Sequence, residues 1–81
     1  MQVSVKLFSF LGQIAGRDRL SVDLVDGASV LDLLNSLSLQ LDNQLLIDKQ
    51  IVVLINQKQA TFQSILKEKD EVLFLPVLGG G

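Results

Sequence analysis

The chain has 81 residues, which is enough for one small domain and too few for two. It carries 7 basic and 9 acidic residues, so its net charge of −2 lacks the basic excess with which nucleic-acid binders neutralise phosphates. It contains neither Cys nor His, which removes thiolate nucleophiles, the commonest zinc ligand and the usual general base at neutral pH. We therefore expect one domain that binds no nucleic acid or metal, with its function in a surface or a terminus.

No stretch approaches the roughly 20 apolar residues of a membrane-spanning helix. Residues 1–6 alternate between apolar and polar instead of placing a basic segment before an apolar one, as a secretory leader would. These features predict a cytoplasmic protein with no membrane partner. A core of this size contributes only roughly 3–5 kcal/mol of net stability, so association with another protein is also expected.

Alternating apolar and polar residues predict two strands in the first third of the chain. Over residues 3–11 the odd positions begin apolar and the even positions polar, which indicates a strand with one buried face. A loop with two glycines follows, and the alternation returns over residues 20–24 as a second strand. Asp26 and Gly27 form a turn after it.

A helix is predicted to begin at Val30. Ser29 is a candidate N-cap, and Asp32 places an acidic side chain in the first turn. The helix should end between Leu39 and Asn43. Five apolar residues at helical spacing form the stripe expected to face the core: Val30, Leu33, Leu34, Leu37 and Leu41.

Ile51–Ile55 is an unbroken apolar run that is too short for a helix. Such a run fits a strand in the middle of a sheet, covered on both faces. Residues 56–66 are interpreted as a turn and a short irregular piece, and residues 67–70 as a solvated charged turn. The last strand covers residues 71–75 and stops at Pro76, which has no N–H to donate.

This order of elements predicts a two-layer α+β domain of the ubiquitin-like β-grasp type, with a mixed sheet and one main helix packed on one face. A ferredoxin-like fold would need a second helix, and residues 61–66 are too short and too weakly periodic to form one. The domain is expected to cover residues 1–75. Residues 76–81 would follow as a flexible, extended C-terminal tail.

The tail ends in three glycines. Six residues can extend about 20 Å, at roughly 3.3–3.6 Å each, which is enough to enter another protein. Residues without a Cβ can pass a channel too narrow for side chains and present a terminal carboxylate inside a partner's site. The alternative is a frayed terminus with no function.

The stretch from Asp70 to Gly81 resembles the end of the small subunit of molybdopterin synthase. In that family Asp-Glu-Val, three apolar residues and Pro-Pro lead through two more residues to a terminal Gly-Gly, and the spacing matches without a gap. The segment from Val5 to Phe8, followed by Gly16, resembles the family's first strand and loop. Val53-Leu54-Ile55-Asn56 resembles the segment that ends in its Val-Asn turn.

Three residues depart from the family pattern. Val77 replaces the second Pro, and Gly79 replaces the usual Ser, Thr or Ala, so the tail should be less stiff at both positions. Gly12 stands where family members commonly carry Arg, in the turn that approaches the large subunit. The resemblance therefore leaves one charged contact of the family without its expected residue here.

The resemblance implies a sulfur carrier that is not an enzyme on its own and binds no permanent cofactor. Gly81 would be adenylated by an ATP-dependent activating enzyme related to E1 enzymes, and a sulfurtransferase would supply the sulfur for its thiocarboxylate. The sulfur would then pass to a cyclic pterin precursor in the large subunit's active site, to make the molybdenum cofactor. Gly79 and Gly80 would thread into the partner's site, and Pro76, Val77 and Leu78 would contact the partner.

The residues themselves also indicate a docking surface, because one helix can cover only one face of the sheet. The predicted docking patch on the other face consists of Phe8, Phe10, Leu73 and Leu75, since soluble monomers rarely leave such clusters bare. The alternative is that Leu45, Leu46 and Ile47 fold over this face and make it a second core.

Three other functions fit the same sequence. A sulfur carrier for thiamine and a ubiquitin-like modifier joined to lysines through Gly81 would both use the same activation chemistry. An interaction domain with an inert tail would use none. Only the acceptor differs between the modifier and the molybdopterin carrier, so the sequence does not separate these two. Thiamine-pathway carriers are usually shorter, with a briefer first loop and a different opening of the first strand.

Overall fold

The computed structural model describes residues 1–8, 12, 16–41 and 51–76, with the side chains of residues 38–41 and 76 left undescribed. The elements that lie entirely within these residues follow the order β1 (Gln2–Leu7), β2 (Arg19–Asp23), α1 (Val30–Leu41), β3 (Ile51–Ile55), β4 (Lys58–Ala60) and β5 (Glu71–Pro76). The strands form one sheet of order β2-β1-β5-β3-β4, in which β1 and β5 are parallel and the other neighbours antiparallel. The predicted α+β β-grasp architecture is confirmed.

The core lies between α1 and one face of the sheet. In β1 buried and exposed residues alternate along the whole strand, as the period-2 pattern predicts. The helix stripe is confirmed at each position whose side chain is described. The buried residues of the cluster come from both layers: Val3, Val5, Leu7, Val22, Val30, Leu33, Leu34, Leu37, Val53, Leu66, Val72 and Phe74.

Ser29 and Asp32 cap the start of α1 through two reciprocal hydrogen bonds. The Ser29 hydroxyl accepts a hydrogen bond from the Asp32 backbone N–H (3.3 Å), and the Asp32 carboxylate accepts one from the Ser29 N–H (2.9 Å). The first two N–H groups of the helix donate to the carbonyls of Ser64 and Phe62, each at 3.0 Å. The irregular segment before β5 therefore satisfies N–H groups that a helix start leaves unpaired.

Strand β4 lies in the segment that the sequence predicts as a turn and an irregular piece. Asn56 (φ 51°) and Gln57 (φ 72°) are both left-handed and form a two-residue turn that pairs Ile55 with Lys58. The strand has only three residues, of which two are exposed and polar. It carries no apolar alternation, so its sequence gives no strand signal.

Two predictions about the last strands need correction. Strand β5 ends at Pro76, one residue later than expected, because a proline that ends a strand still offers its carbonyl to the ladder and is paired here with Ile51. Strand β3 lies inside the sheet, between β5 and the short β4, as predicted. Full burial on both faces is not observed, because, of its five residues, only Val53 is buried.

Asp70 was predicted to lie in a solvated turn, and this is wrong. Asp70 is only 8% exposed. Its carboxylate accepts hydrogen bonds from the Asn56 side-chain amide (2.9 Å) and the Lys67 backbone N–H (2.8 Å). The Asn56 side chain in turn accepts a bond from the Glu71 N–H (3.0 Å). A buried carboxylate requires hydrogen-bond donors. Because Asn56 supplies one of them, the network connects the β3–β4 turn to the start of β5.

Replacing Asn56 with Ala is expected to lower the free energy of unfolding by about 3 kcal/mol. The change removes a donor from a buried carboxylate and an acceptor from a backbone N–H, and places Ala at a positive φ. Urea denaturation measures the loss. Gln57→Ala is the matched control, because Gln57 shares the left-handed backbone without the network, and it should cost less than about 1 kcal/mol. Equal losses in the two variants would show that the network contributes nothing.

Candidate functional site

The end of β5 is the point from which the glycine-rich segment continues. Strand β5 is the middle strand of the sheet. Because β1 runs parallel to it, the C-terminal ends of both strands lie at the same end of the sheet. The backbone N–H of Phe8, just after β1, donates to the Phe74 carbonyl (3.0 Å). Ile51 begins β3 on the other side and pairs with Pro76. The chain therefore leaves β5 after Pro76 at the end of the sheet where Phe8 and Ile51 flank this strand.

The sheet face opposite α1 is here called the outer face. Its apolar residues lie near the end of the sheet at which β1 and β5 finish. The strand registers place two adjacent rows across it. The first row crosses all five strands and consists of Arg19, Lys6, Leu73, Leu54 and Gln59. The second row consists of Phe8, Leu75 and Val52.

Three members of the predicted docking patch lie together in these rows. Phe8 is 43% exposed, whereas its neighbour Leu7 on the core side is 2% exposed. Leu73 and Leu75 are half-buried on the same face. Phe10, the fourth member, lies outside the described residues, as do residues 45–47 of the alternative cover.

Val52 and Leu54 also belong to the outer face, although the predicted docking patch does not contain them. Val52 pairs with Leu75 and Leu54 pairs with Leu73, and both are half-buried. The sequence feature that indicates these two residues is the unbroken apolar run of β3. This run predicts that both faces of the strand are covered. The apolar part of the outer face, which we call the apolar patch, therefore consists of Phe8, Val52, Leu54, Leu73 and Leu75.

Two surface depressions adjoin the apolar patch, with volumes of about 670 and 350 Å³. Lys6, Phe8 and Arg19 line both of them. Arg17 and Asp18 also line the larger depression, and Glu71 also lines the smaller one. The groups available here are therefore basic, acidic and aromatic side chains, which can recognise a partner's surface.

Gly12 fits closely against the connection between β1 and β2. A Cβ built on it would lie 3.1 Å from the Leu7 carbonyl oxygen and 3.2 Å from the Asp18 Cβ. Leu7 also donates its N–H to the Asp18 carbonyl at 2.9 Å. The absence of a side chain at position 12, where the resembling family carries Arg, therefore has a local steric reason.

Gly81, the residue expected to react, lies beyond the described part of the chain. So do Gly79 and Gly80, which are expected to thread into the partner, and Val77 and Leu78, which are expected to contact it. Their predicted roles stay predictions. In the described residues, no group of three or more metal-ligating side chains occurs. The helix that the structure describes is too short to cross a membrane.

The mixed sheet, its strand order and the single described helix on one face define a ubiquitin-like β-grasp protein. The family model of the ThiS family matches residues 5–81, and the chain belongs to this family of sulfur carriers. Among curated protein sequences, none matches the chain significantly.

Solved structures with the same fold match nearly the whole chain. Small archaeal modifier protein 1 from Haloferax volcanii is 26% identical, with full coverage of both chains and a TM-score of 0.86. Small archaeal modifier protein 1 from Methanosarcina acetivorans is 28% identical over 99% of this chain and 96% of that one, with a TM-score of 0.80. A Pyrococcus furiosus protein described as molybdopterin converting factor subunit 1 shares the fold at 23% identity, a TM-score of 0.83, and coverage of 94% and 97%.

Proposed function

We propose that this chain is the sulfur-donating small subunit of a molybdopterin synthase. An ATP-dependent activating enzyme adenylates Gly81, and sulfur supplied by a sulfurtransferase converts the adenylate to a thiocarboxylate. The thiocarboxylate donates its sulfur to a cyclic pterin precursor in the large subunit's active site. The observation that carries the proposal is the ThiS family match, which covers residues 5–81 and so includes β5 and Gly81.

The chemistry explains why a carrier needs activation and a partner. A free carboxylate is a poor acyl donor, so its oxygen first attacks the α-phosphate of ATP and pyrophosphate leaves. Attack of sulfide sulfur on the acyl carbon then displaces AMP. The product is a sulfur nucleophile on a chain that contains no Cys. The chain supplies the carboxyl group that carries the sulfur and a docking surface, and its partners supply the sulfur and the catalytic groups.

The spacing from Asp70 to Gly81 favours the molybdopterin pathway, since it resembles that family's ending without a gap. The thiamine pathway remains an alternative, because it uses a carrier of the same fold and the same activation. A strain lacking this chain separates the two. Loss of molybdenum-enzyme activity supports the proposal, whereas a requirement for thiamine contradicts it.

Intact mass spectrometry of the chain isolated from its native host tests the activation of Gly81. The expected result is a species heavier by about 16 Da, from exchange of one oxygen for sulfur. Lys69 is the last basic residue, so trypsin should leave the added mass on a peptide of residues 70–81. Added mass on any other peptide, or its complete absence under conditions that require the cofactor, would contradict the proposal.

A second candidate function is that of a protein modifier joined to lysines through Gly81. The identity of 26–28% to small archaeal modifier protein 1 from two organisms favours it. Trypsin digestion of host protein again gives the discriminating measurement, because a conjugated lysine would retain residues 70–81 of this chain. Such branched peptides would support the modifier, and they are not expected from a carrier that only donates sulfur.

A further inference from the structure

Strand β2 lies at one edge of the sheet, so one of its sides has no neighbouring strand in the part of the chain that the structure describes. Hydrogen bonds at both ends of β2 show which of its residues bond to β1. After β2, Leu24 and Met1 exchange backbone hydrogen bonds (2.7 and 2.8 Å), and before it the Asp18 carbonyl accepts one from the Leu7 N–H (2.9 Å). Because bonded and unbonded pairs alternate in an antiparallel ladder, the even-numbered residues of β2 bond to β1.

The odd-numbered residues of β2 therefore direct their backbone N–H and carbonyl groups toward the free edge. These residues are Arg19, Ser21 and Asp23, and their side chains are exposed. Among the described residues, no strand or turn bonds to this side of β2. The strand is five residues long, contains no proline and pairs with β1 without a bulge, so its edge lacks several features that prevent pairing with another strand.

The sequence of β2 is complementary to itself in the antiparallel direction. When a second copy is placed with Ser21 opposite Ser21, each Arg19 lies opposite the Asp23 of the other copy. Opposite charges at such cross-strand positions attract. On the helix side of the sheet, Leu20 lies opposite Val22, and both are apolar. In this register every outward N–H of β2 can donate to an outward carbonyl of the other copy.

Charged residues on an edge strand usually prevent pairing between copies. In β2 the two charges have opposite signs and lie at equal distances from Ser21 in the sequence, so they favour one arrangement and oppose others. Parallel pairing in register would place Arg19 beside Arg19 and Asp23 beside Asp23. A shifted antiparallel register would lose hydrogen bonds at one end. The charges therefore select the symmetric antiparallel register.

The two ends of β2 carry opposite net charges. Lys6 lies opposite Arg19, and Arg17 and Asp18 precede it, so basic residues outnumber acidic ones at the start of the strand. Asp23 ends the strand. Within the described residues neither Arg19 nor Asp23 forms an ion pair. A twofold axis through the edge brings the basic end of each copy against the acidic end of the other.

We propose that the chain forms a symmetric dimer through the free edge of β2, with the twofold axis at Ser21. The two sheets join into one, with both helices on one side and both apolar patches on the other. The two β5 strands would lie about 24 Å apart, at roughly 4.8 Å for each step of the order β5-β1-β2-β2-β1-β5. The apolar patch and the end of β5 stay outside the interface, so each copy can still dock a partner.

Sedimentation velocity of the purified full chain tests the dimer. A single strand pair is a small interface, so the mass should rise from monomer toward dimer between about 10 μM and about 1 mM. Arg19→Asp and Asp23→Arg are each expected to weaken dimerisation at least tenfold, about 1.4 kcal/mol, because each places like charges opposite each other. The two variants change the net charge in opposite directions, so net charge cannot explain a loss in both.

Lys58→Asp is the matched control for Arg19→Asp. Lys58 is exposed in β4, at the opposite edge of the sheet, and its replacement changes the net charge by the same amount. This variant should weaken dimerisation less than about twofold. A loss as large as that of Arg19→Asp would show that net charge alone governs association, and would overturn the inference.

An equimolar mixture of the two charge variants gives the sharpest test. The Arg19→Asp chain has two carboxylates on the outer face of β2 and the Asp23→Arg chain two cations, so each variant repels its own copy. Their heterodimer joins opposite charges at both ends of the strand. The mixture should therefore associate within about threefold of the wild type. Failure of the mixture to associate while both variants keep the wild-type melting temperature would contradict the proposed register.

Amide hydrogen exchange, followed by NMR at both ends of the concentration range, locates the interface. Exchange at Arg19, Ser21 and Asp23 should slow at high concentration, because their N–H groups become bonded only in the dimer. Leu20 and Val22 are the internal controls. Their N–H groups already bond to β1, so their exchange should not depend on concentration.

Three further outcomes would overturn the inference. The first is a chain that stays monomeric at every concentration, and the second is association that the charge variants leave unchanged. The third is protection of the β2 amides only after the large subunit or the activating enzyme is added, because the edge would then bind a strand of that protein. None of these measurements depends on the activation of Gly81, so the inference and the proposed function fail separately.

Discussion

Deletion of Gly80 and Gly81 is expected to abolish adenylation and thiocarboxylate formation while changing the melting temperature by less than about 2 °C. The carboxylate of the shortened chain would lie about 7 Å nearer the domain, at roughly 3.3–3.6 Å per residue, and would not reach the acyl-transfer position. The described core extends only to Phe74, and the described strand pairing ends at Pro76. Adenylate formation is measured by ATP–pyrophosphate exchange with the activating enzyme, and stability by calorimetry.

A chain with one alanine appended after Gly81 is the control for this deletion. It keeps every glycine and moves only the carboxylate, so it should also fail to be activated if the position of the terminal group decides the reaction. Exchange at the wild-type rate in the shortened chain would exclude Gly81 as the activated residue. Loss of activity in the deletion but not in the extended chain would instead indicate that the glycines serve only as binding residues.

The elements with a strong periodic pattern could be predicted from the sequence. Strand β3 has the predicted limits, and α1 begins at the predicted Val30 with the Ser29–Asp32 cap in place. These elements bury one regular face, and a regular face leaves a repeating signal in the sequence. The β-grasp architecture follows from their order, because one helix and one sheet can form only two layers.

Strand β4 and the burial of Asp70 could not be predicted in the same way. Both depend on pairings between residues distant in the sequence. Asn56 reaches Asp70 only because β3 and β5 are neighbours in the sheet. In the sequence Asp70 follows Lys67, Glu68 and Lys69, and this charged context is typical of a solvated turn. Tertiary contacts therefore override the local pattern at this position.

The apolar patch could be predicted only in part from the sequence. The unbroken run of β3 predicts two apolar faces, and it has both. The same pattern would arise from a strand buried between two layers and from a strand with one face kept apolar for a partner. Among the described residues Val52 and Leu54 are half-buried and Phe8 beside them is exposed. Docking of a partner on this face stays a prediction, because residues 45–47 of the alternative cover lie outside the described residues.

Phe8→Ser and Leu75→Asp are each expected to weaken binding to the large subunit at least tenfold, about 1.4 kcal/mol, as measured by isothermal titration calorimetry. Phe8 keeps 43% of its surface exposed in the free domain, so much of its apolar area leaves water only when a partner covers the outer face. Leu75 lies beside it in the same row, paired with Val52. Its replacement by Asp would place a carboxylate in the middle of the apolar patch.

Two further variants separate docking from folding. Val5 is fully buried in the core, so Val5→Ser should lower the free energy of unfolding by about 3 kcal/mol, more than Phe8→Ser or Leu75→Asp. Val25 is 78% exposed in the loop after β2, away from the apolar patch, so Val25→Asp should change neither stability nor affinity. If Phe8→Ser and Leu75→Asp destabilise the free domain as much as Val5→Ser, and affinity is unaffected once folding is allowed for, the outer face is a second core. The large subunit would then dock elsewhere, because a surface already buried in the free chain has no apolar area left to offer.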